Sequence, residues 1–191
     1  TLATWLAGRP DAPDPNRKTA VLVRRSPTTQ RWELTITCTL DRPLSETAFD
    51  ATHARHVLSE SAGWEELVGH ESVTVLSGYL GQPFEVLSVL PDGSARSWRG
   101  TRDLLPGAVR VEVESGLWRV TVALPDVSRA DSDFDFGVVR MHEGRDAVDC
   151  LPRPALPWKH DPGRVRVDLS RWDALPDFAL PAPGGSIGGG E

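Results

Sequence analysis

Nothing in these 191 residues approaches the roughly 18 consecutive apolar residues of a membrane helix, and no membrane partner is expected. A basic excess is also missing: 21 Lys and Arg stand against 27 Asp and Glu, a formal net charge of −6. That balance disfavours a phosphate-tracking surface, so no nucleic-acid partner is expected. The opening residues TLATWLAGRPDAPDP have neither a basic start nor a long hydrophobic segment, which makes a cytoplasmic location the expectation. Cysteine is scarce. Cys38 and Cys150 are the only two, a chain this long needs no disulfide staple, and an unsecreted one keeps its thiols reduced. The sequence holds no G-x-S-x-G elbow, P-loop, dinucleotide fingerprint or zinc signature, so hydrolase, kinase and dehydrogenase readings have no support. Long amphipathic helices and internal repeats are lacking too.

What the chain does have is period-two alternation. Trp32, Leu34, Ile36, Cys38 and Leu40 alternate with Glu33, Thr35, Thr37 and Thr39, the pattern of a half-buried strand whose threonine face is solvent-facing or floors a polar groove. Residues 116–141, GLWRVTVALPDVSRADSDFDFGVVRM, hold two apolar runs around an acidic loop. Trp118, Val120, Val122 and Leu124 form one strand face, Pro125 ends that strand, and residues 134–141 form a second strand. These two are expected to be the central pair of the sheet system. Further strands are expected over residues 19–24, 71–76, 83–90, 95–99, 109–114 and 165–169, with turns at SGYLGQ, Pro91-Asp92-Gly93 and Ser115-Gly116. Residues 43–61 read as one short helical excursion, and residues 142–160 as an irregular stretch. The expected organisation is an extended lead-in over 1–18, a single β-sandwich domain over 19–178, and a disordered Gly/Pro-rich tail over 179–191. The fold class is all-β: an antiparallel, jelly-roll-type sandwich.

The order of features resembles the DOMON-like superfamily that includes family 9 carbohydrate-binding modules. The residues that carry the resemblance are Trp64 in GWEEL, then HESVTVL, PFEVLSVLPDG, GLWRVTVALP and FDFGVVR, with Glu71 at the family's acidic position. It implies the same sandwich and a small-molecule or sugar-like ligand, and it implies that a structural Ca²⁺ is the one cofactor to consider. The haem-binding branch of that superfamily uses a methionine and a histidine. Here Met141 and His142 are adjacent, and adjacent strand residues point to opposite faces, so they cannot clamp one iron.

Several side chains are candidates for chemistry. Glu85 interrupts the apolar run FEVLSVL and must share a strand face with Leu87 and Val89, a setting suited to a general acid or base. Arg140, within the second apolar run, is the other catalytic candidate and also the natural ion-pair partner of Glu85, and that pairing alone would explain both residues without catalysis. Asp131, Asp133 and Asp135 alternate in the acidic loop like the start of a calcium site, although Gly137 falls one place late for an EF-hand. Trp98, Trp158, Tyr79 at the SGYLG turn and His142 are the ligand-contacting candidates. His53 and His56 share a helix face at i, i+3, but no third donor sits at a recognisable spacing, so a solvated face is preferred over a metal site. Two functions follow: a small-ligand binding module, or a cofactor-free cyclase or isomerase in a biosynthetic pathway that uses a pocket carboxylate. Oligomeric state has no sequence signal.

Overall fold

The structure, a computed structural model, describes residues 19–79, 85–99, 107–124, 133–144, 148–151 and 165–168. Ten strands are described: β1 (Thr19–Arg25), β2 (Trp32–Thr39), β3 (Ser72–Tyr79), β4 (Glu85–Val89), β5 (Ala95–Arg99), β6 (Val109–Glu114), β7 (Leu117–Ala123), β8 (Asp133–Met141), β9 (Val148–Leu151) and β10 (Val165–Asp168). They build two antiparallel sheets, one of four strands in the order β1-β2-β7-β6 and one of six in the order β10-β8-β3-β4-β5, with β9 also on β8. The antiparallel sandwich expected from the sequence is present. The expected lead-in and tail lie outside the described residues.

The interior between the sheets follows from the alternation. Leu34, Ile36, Cys38, Trp118 and Val120 of the four-stranded sheet are fully buried against Val73, Val89, Phe134, Phe136 and Val138 of the six-stranded one. The outward side of the four-stranded sheet is less open than the threonines suggest. Thr35 and Thr121 are buried as a cross-strand hydroxyl pair 3.4 Å apart, and Glu33 is buried beneath the guanidinium groups of Arg24 and Arg110.

The six-stranded sheet is covered on both faces. Its outward side carries Leu76, Val86, Val139, Met141 and Cys150, all buried, and against part of this layer packs the helix α1 (Ala51–Val57). Burial on both sides explains why FEVLSVL and FGVVRM read as near-continuous apolar runs while β2 alternates. The helix starts where Asp50 caps it, its Oδ1 accepting from the Thr52 N–H at 2.8 Å and the His53 N–H at 3.4 Å. Ala54 and Val57, three residues apart, supply its buried stripe. Two tight turns need a left-handed residue and have glycine there: Gly93 (φ +88°) between β4 and β5, and Gly116 (φ +82°) between β6 and β7.

The structure corrects four expectations. β7 and β8 are not hydrogen-bonded to each other. β7 lies between β2 and β6 and β8 lies in the opposite sheet, so the two apolar runs meet only through their side chains across the core. The strand at FDFGVVR begins at Asp133, one residue earlier than expected, so Asp133 joins Asp135 within β8 rather than lying in the acidic loop, and the two are in register with Asp168 and Arg166 of β10. Tyr79 is not in a turn, because β3 stays paired with β8 along its whole length, Ser72 opposite Met141 through Tyr79 opposite Phe134. Within the stretch expected to be irregular, residues 148–151 form β9, which returns along the end of β8. Its signal, VDCL, is too short to stand out by period.

Phe136 is fully buried and stacked on Phe134 with ring centroids 6.1 Å apart. Phe136→Ala is therefore expected to cost about 3–5 kcal/mol in urea unfolding, with an unchanged denaturant slope.

Candidate functional site

The two ends of the sandwich differ. At one end the polar groups are used up holding the sheets together. Arg140 follows Phe134, Phe136 and Val138 on the inward face of β8, so at its end the interior receives a guanidinium instead of another apolar side chain. Its Nε donates to Glu71 Oε1 at 2.7 Å, Nη1 to Thr19 Oγ1 at 3.3 Å, and Nη2 to the Thr39 carbonyl at 3.1 Å. Glu71 Oε1 also accepts the Trp118 indole N–H at 2.8 Å, and its Oε2 accepts the Glu143 backbone N–H at 3.2 Å. Burial disfavours the charge on Arg140, and Cys38, Glu71 and then Asp149 together more than restore it. His142 belongs to the same network, its Nε2 2.8 Å from Asp149 Oδ2, which also accepts from Thr19 Oγ1 at 3.4 Å. Glu71, noted in the sequence only as a pattern position, is thus the acceptor on which both sheets converge.

This overturns the expected Glu85–Arg140 pair. Along β3, Glu85 is opposite Ser77 while Arg140 is opposite Val73, and β4 and β8 flank β3 on different sides. Four residues of strand put the two about 13 Å apart along the strand direction alone. Arg140 is committed to Glu71, so it and Glu85 do not form the ion pair that would have explained both residues without catalysis.

At the opposite end, Glu85 opens β4 on the face that Leu87 and Val89 continue into the core. It lines a cavity of about 20 Å³ between the sheets, walled by Val75, Leu87, Val122 and Leu124 with Ser77 and Ser97 as polar neighbours. That volume accepts one water-sized group and no more. Trp32 sits at this end too, its carbonyl accepting the Leu124 N–H at 2.8 Å.

The other expected site residues are spread out. Trp98 lies on the outward side of the six-stranded sheet, where its indole N–H donates to Ser88 Oγ at 2.7 Å. Its ring meets Trp64 at a centroid distance of 4.6 Å, and the Arg96 guanidinium lies 3.7 Å from the ring centre. Arg96 in turn donates to the carbonyls of Ser59, Glu60 and Ala62, fastening the segment after α1. The expected ligand platform is thus engaged in packing: its N–H has a partner, and two side chains lie against its ring. Asp135 is buried and accepts both Arg166 Nε at 2.9 Å and Arg166 Nη2 at 3.2 Å, so it serves an ion pair across β8 and β10. Asp131, Trp158 and the side chains of Asp133 and Tyr79 lie outside the described residues. Among the described residues no three His, Cys, Asp or Glu side chains are grouped to hold a metal. His53 faces His70 rather than acting with His56: His53 Nε2 and His70 Nδ1 are 2.9 Å apart. Partial burial, then the neighbouring His53, hold His70 below the usual histidine range against the opposing pull of Glu143 and Glu66.

No family model matches the sequence, and no curated protein matches it. Among solved structures the fold is similar to a family 9 carbohydrate-binding module from Caldicellulosiruptor kristjanssonii, solved in complex with cellotriose, at a TM-score of 0.43 and 10% identity. The match covers 70% of this chain and 63% of that one, so this chain spans less than two thirds of the length of that module.

Both cysteines are buried and unbridged. Burial pushes the Cys38 thiol up to about 12 from 9.0, opposed by Arg140 and reinforced by Glu71 and Asp149. The folded chain therefore keeps a proton that the unfolded chain loses, so this contribution to stability is complete below pH 9 and is lost as the pH rises towards about 12. The unfolding free energy from urea titrations should fall across that window with a slope of up to about 1.4 kcal/mol per pH unit. In Cys38→Ala that part of the slope should vanish, and the native thiol should not react with a thiol reagent at neutral pH.

Proposed function

We propose that this chain is a binding module whose ligand docks at the sandwich mouth beside Glu85. The observation that carries the reading is a carboxylate at the rim of an apolar slot between two sheets, with Ser77 and Ser97 as additional hydrogen-bonding groups. An apolar wall combined with a strong acceptor suits a small ligand with one apolar face and hydroxyl donors, the chemistry of a sugar ring. The slot admits a single hydroxyl- or methyl-sized group. The ligand is then held across the mouth with one substituent inserted, and the sheets supply a rigid support.

The same carboxylate against apolar walls favours a second reading, a cofactor-free cyclase or isomerase in which Glu85 moves a proton. Turnover of that kind needs a substrate enclosed away from water, and a slot of about 20 Å³ among the described residues encloses only one small group. Binding without turnover is therefore the preferred function.

Titration of mono- and oligosaccharides and small polyols, followed by calorimetry and by tryptophan fluorescence with Trp32 as the nearby reporter, tests this directly. Saturable binding is expected, weakened roughly tenfold to a hundredfold by Glu85→Gln through loss of a charged acceptor. Ala108→Leu, which fills the slot, is expected to weaken it similarly while both variants keep the wild-type unfolding midpoint within a few degrees. The reading fails if no member of the panel binds, or if binding survives both substitutions. Product formation that Glu85→Gln abolishes would instead establish the enzyme.

A further inference from the structure

The outward side of the six-stranded sheet carries a pair of side chains that neither the mouth nor the Glu71 network uses. His53 lies on α1, whose Ala54 and Val57 anchor it to the layer beneath, and His70 lies immediately before the buried Glu71. The imidazoles meet edge to face, centroids 4.5 Å apart and planes at 60°, with His53 Nε2 aimed at His70 Nδ1 across 2.9 Å. Both side chains are only partly buried.

We propose that these two nitrogens form a binding site for a borderline divalent transition-metal ion such as Zn²⁺ or Cu²⁺. Imidazole nitrogen is the preferred donor of such ions. Two nitrogens bound at about 2.0–2.1 Å to one tetrahedral ion lie about 3.3 Å apart. The nitrogens therefore have to separate by about 0.4 Å and each ring has to turn by roughly 35° to point its lone pair at a common ion, a movement available to partly exposed rings on fixed backbones. No net proton is released. Each neutral ring holds one N–H, and on binding the proton on the metal-facing nitrogen of one ring moves to that ring's other nitrogen, leaving His53 protonated at Nδ1 and His70 at Nε2. Glu143 and Glu66 are close enough for their charges to act on His70 and partly offset the cost of placing a cation there. Because no three-ligand group is present among the described residues, water completes the coordination and the ion stays exchangeable. A bound ion would fasten α1 to the segment leading into β3.

The test is titration of the full chain with Zn²⁺ against a competing chelator, together with Cu²⁺ and nitrogen hyperfine structure by electron paramagnetic resonance. One equivalent is expected to bind, with two coupled imidazole nitrogens. His53→Gln and His70→Gln should each lower affinity roughly tenfold or more, and His56→Gln should change it by less than about twofold. Zn²⁺ should raise the thermal midpoint of the wild type and of His56→Gln but not of His53→Gln, which is judged by its metal-free circular dichroism to be folded. His53→Gln decides the matter if His70→Gln does not fold. Absence of stoichiometric binding overturns the proposal, as does a folded His53→Gln that retains wild-type affinity or a His56→Gln as weak as His53→Gln. The sugar titration is independent of this outcome.

Discussion

One oxygen atom holds the two sheets in register. Glu71 Oε1 accepts the indole N–H of Trp118 from the four-stranded sheet and the guanidinium Nε of Arg140 from the six-stranded sheet. Arg140 then crosses the gap to β1 and β2 through Thr19 and the Thr39 carbonyl. A buried ion pair is weak support for stability by itself, since removing both charges from water costs several kcal/mol per ion. Here the charges are matched by hydrogen bonds on nearly every available atom, which a purely apolar interface would not provide. Apolar packing tolerates small slides between sheets, whereas this bond set has one geometry. Removing Glu71 or Arg140 leaves the other's buried charge without its counter-ion, so the cost of that loss exceeds the net value of the pair.

That arrangement also orders the end of the molecule. The segment from residue 41 to residue 71 reaches back to the turn after β8, where the Glu143 carboxylate accepts from Ser45, Arg42 donates to the Glu143 carbonyl, and the Gly144 N–H donates to the Gly69 carbonyl at 2.7 Å. Arg96, lying against Trp98, holds the following residues to the outward face of β5. The helix and its flanking turns thus serve as a cover for the second apolar face of the six-stranded sheet. A cavity of about 10 Å³ at this end is lined by Glu71, Arg140 and Glu143, whose polar groups belong to the network, whereas the cavity of about 20 Å³ at the Glu85 mouth has mainly apolar walls.

How far the sequence could be read follows from range. Local period is visible, so β2, β6 and β7 stand out, and Glu85 can be placed on the Leu87 face by counting. Which strands pair is a non-local fact. The runs around Trp118 and Phe136 look like a pair because each is apolar, yet the two strands lie in different sheets. Arg140 inside an apolar strand signals a buried partner without naming it, and Glu85 and Glu71 are equally plausible until register is known. Trp98 looks like an exposed aromatic because Arg96 and Arg99 flank it; in the fold Arg96 is part of its packing. His70 carries no signal at all by spacing, since the partner that matters is on a helix 17 positions earlier.

The most direct test of the account is a double-mutant cycle on Glu71 and Arg140, using Glu71→Gln, Arg140→Met and the double variant in urea unfolding. Each single substitution is predicted to cost about 3–5 kcal/mol, and the double variant clearly less than their sum, because the second change removes the charge that the first left unpaired. Single costs below about 1 kcal/mol, or strict additivity, would contradict the claim that this carboxylate and guanidinium join the two sheets.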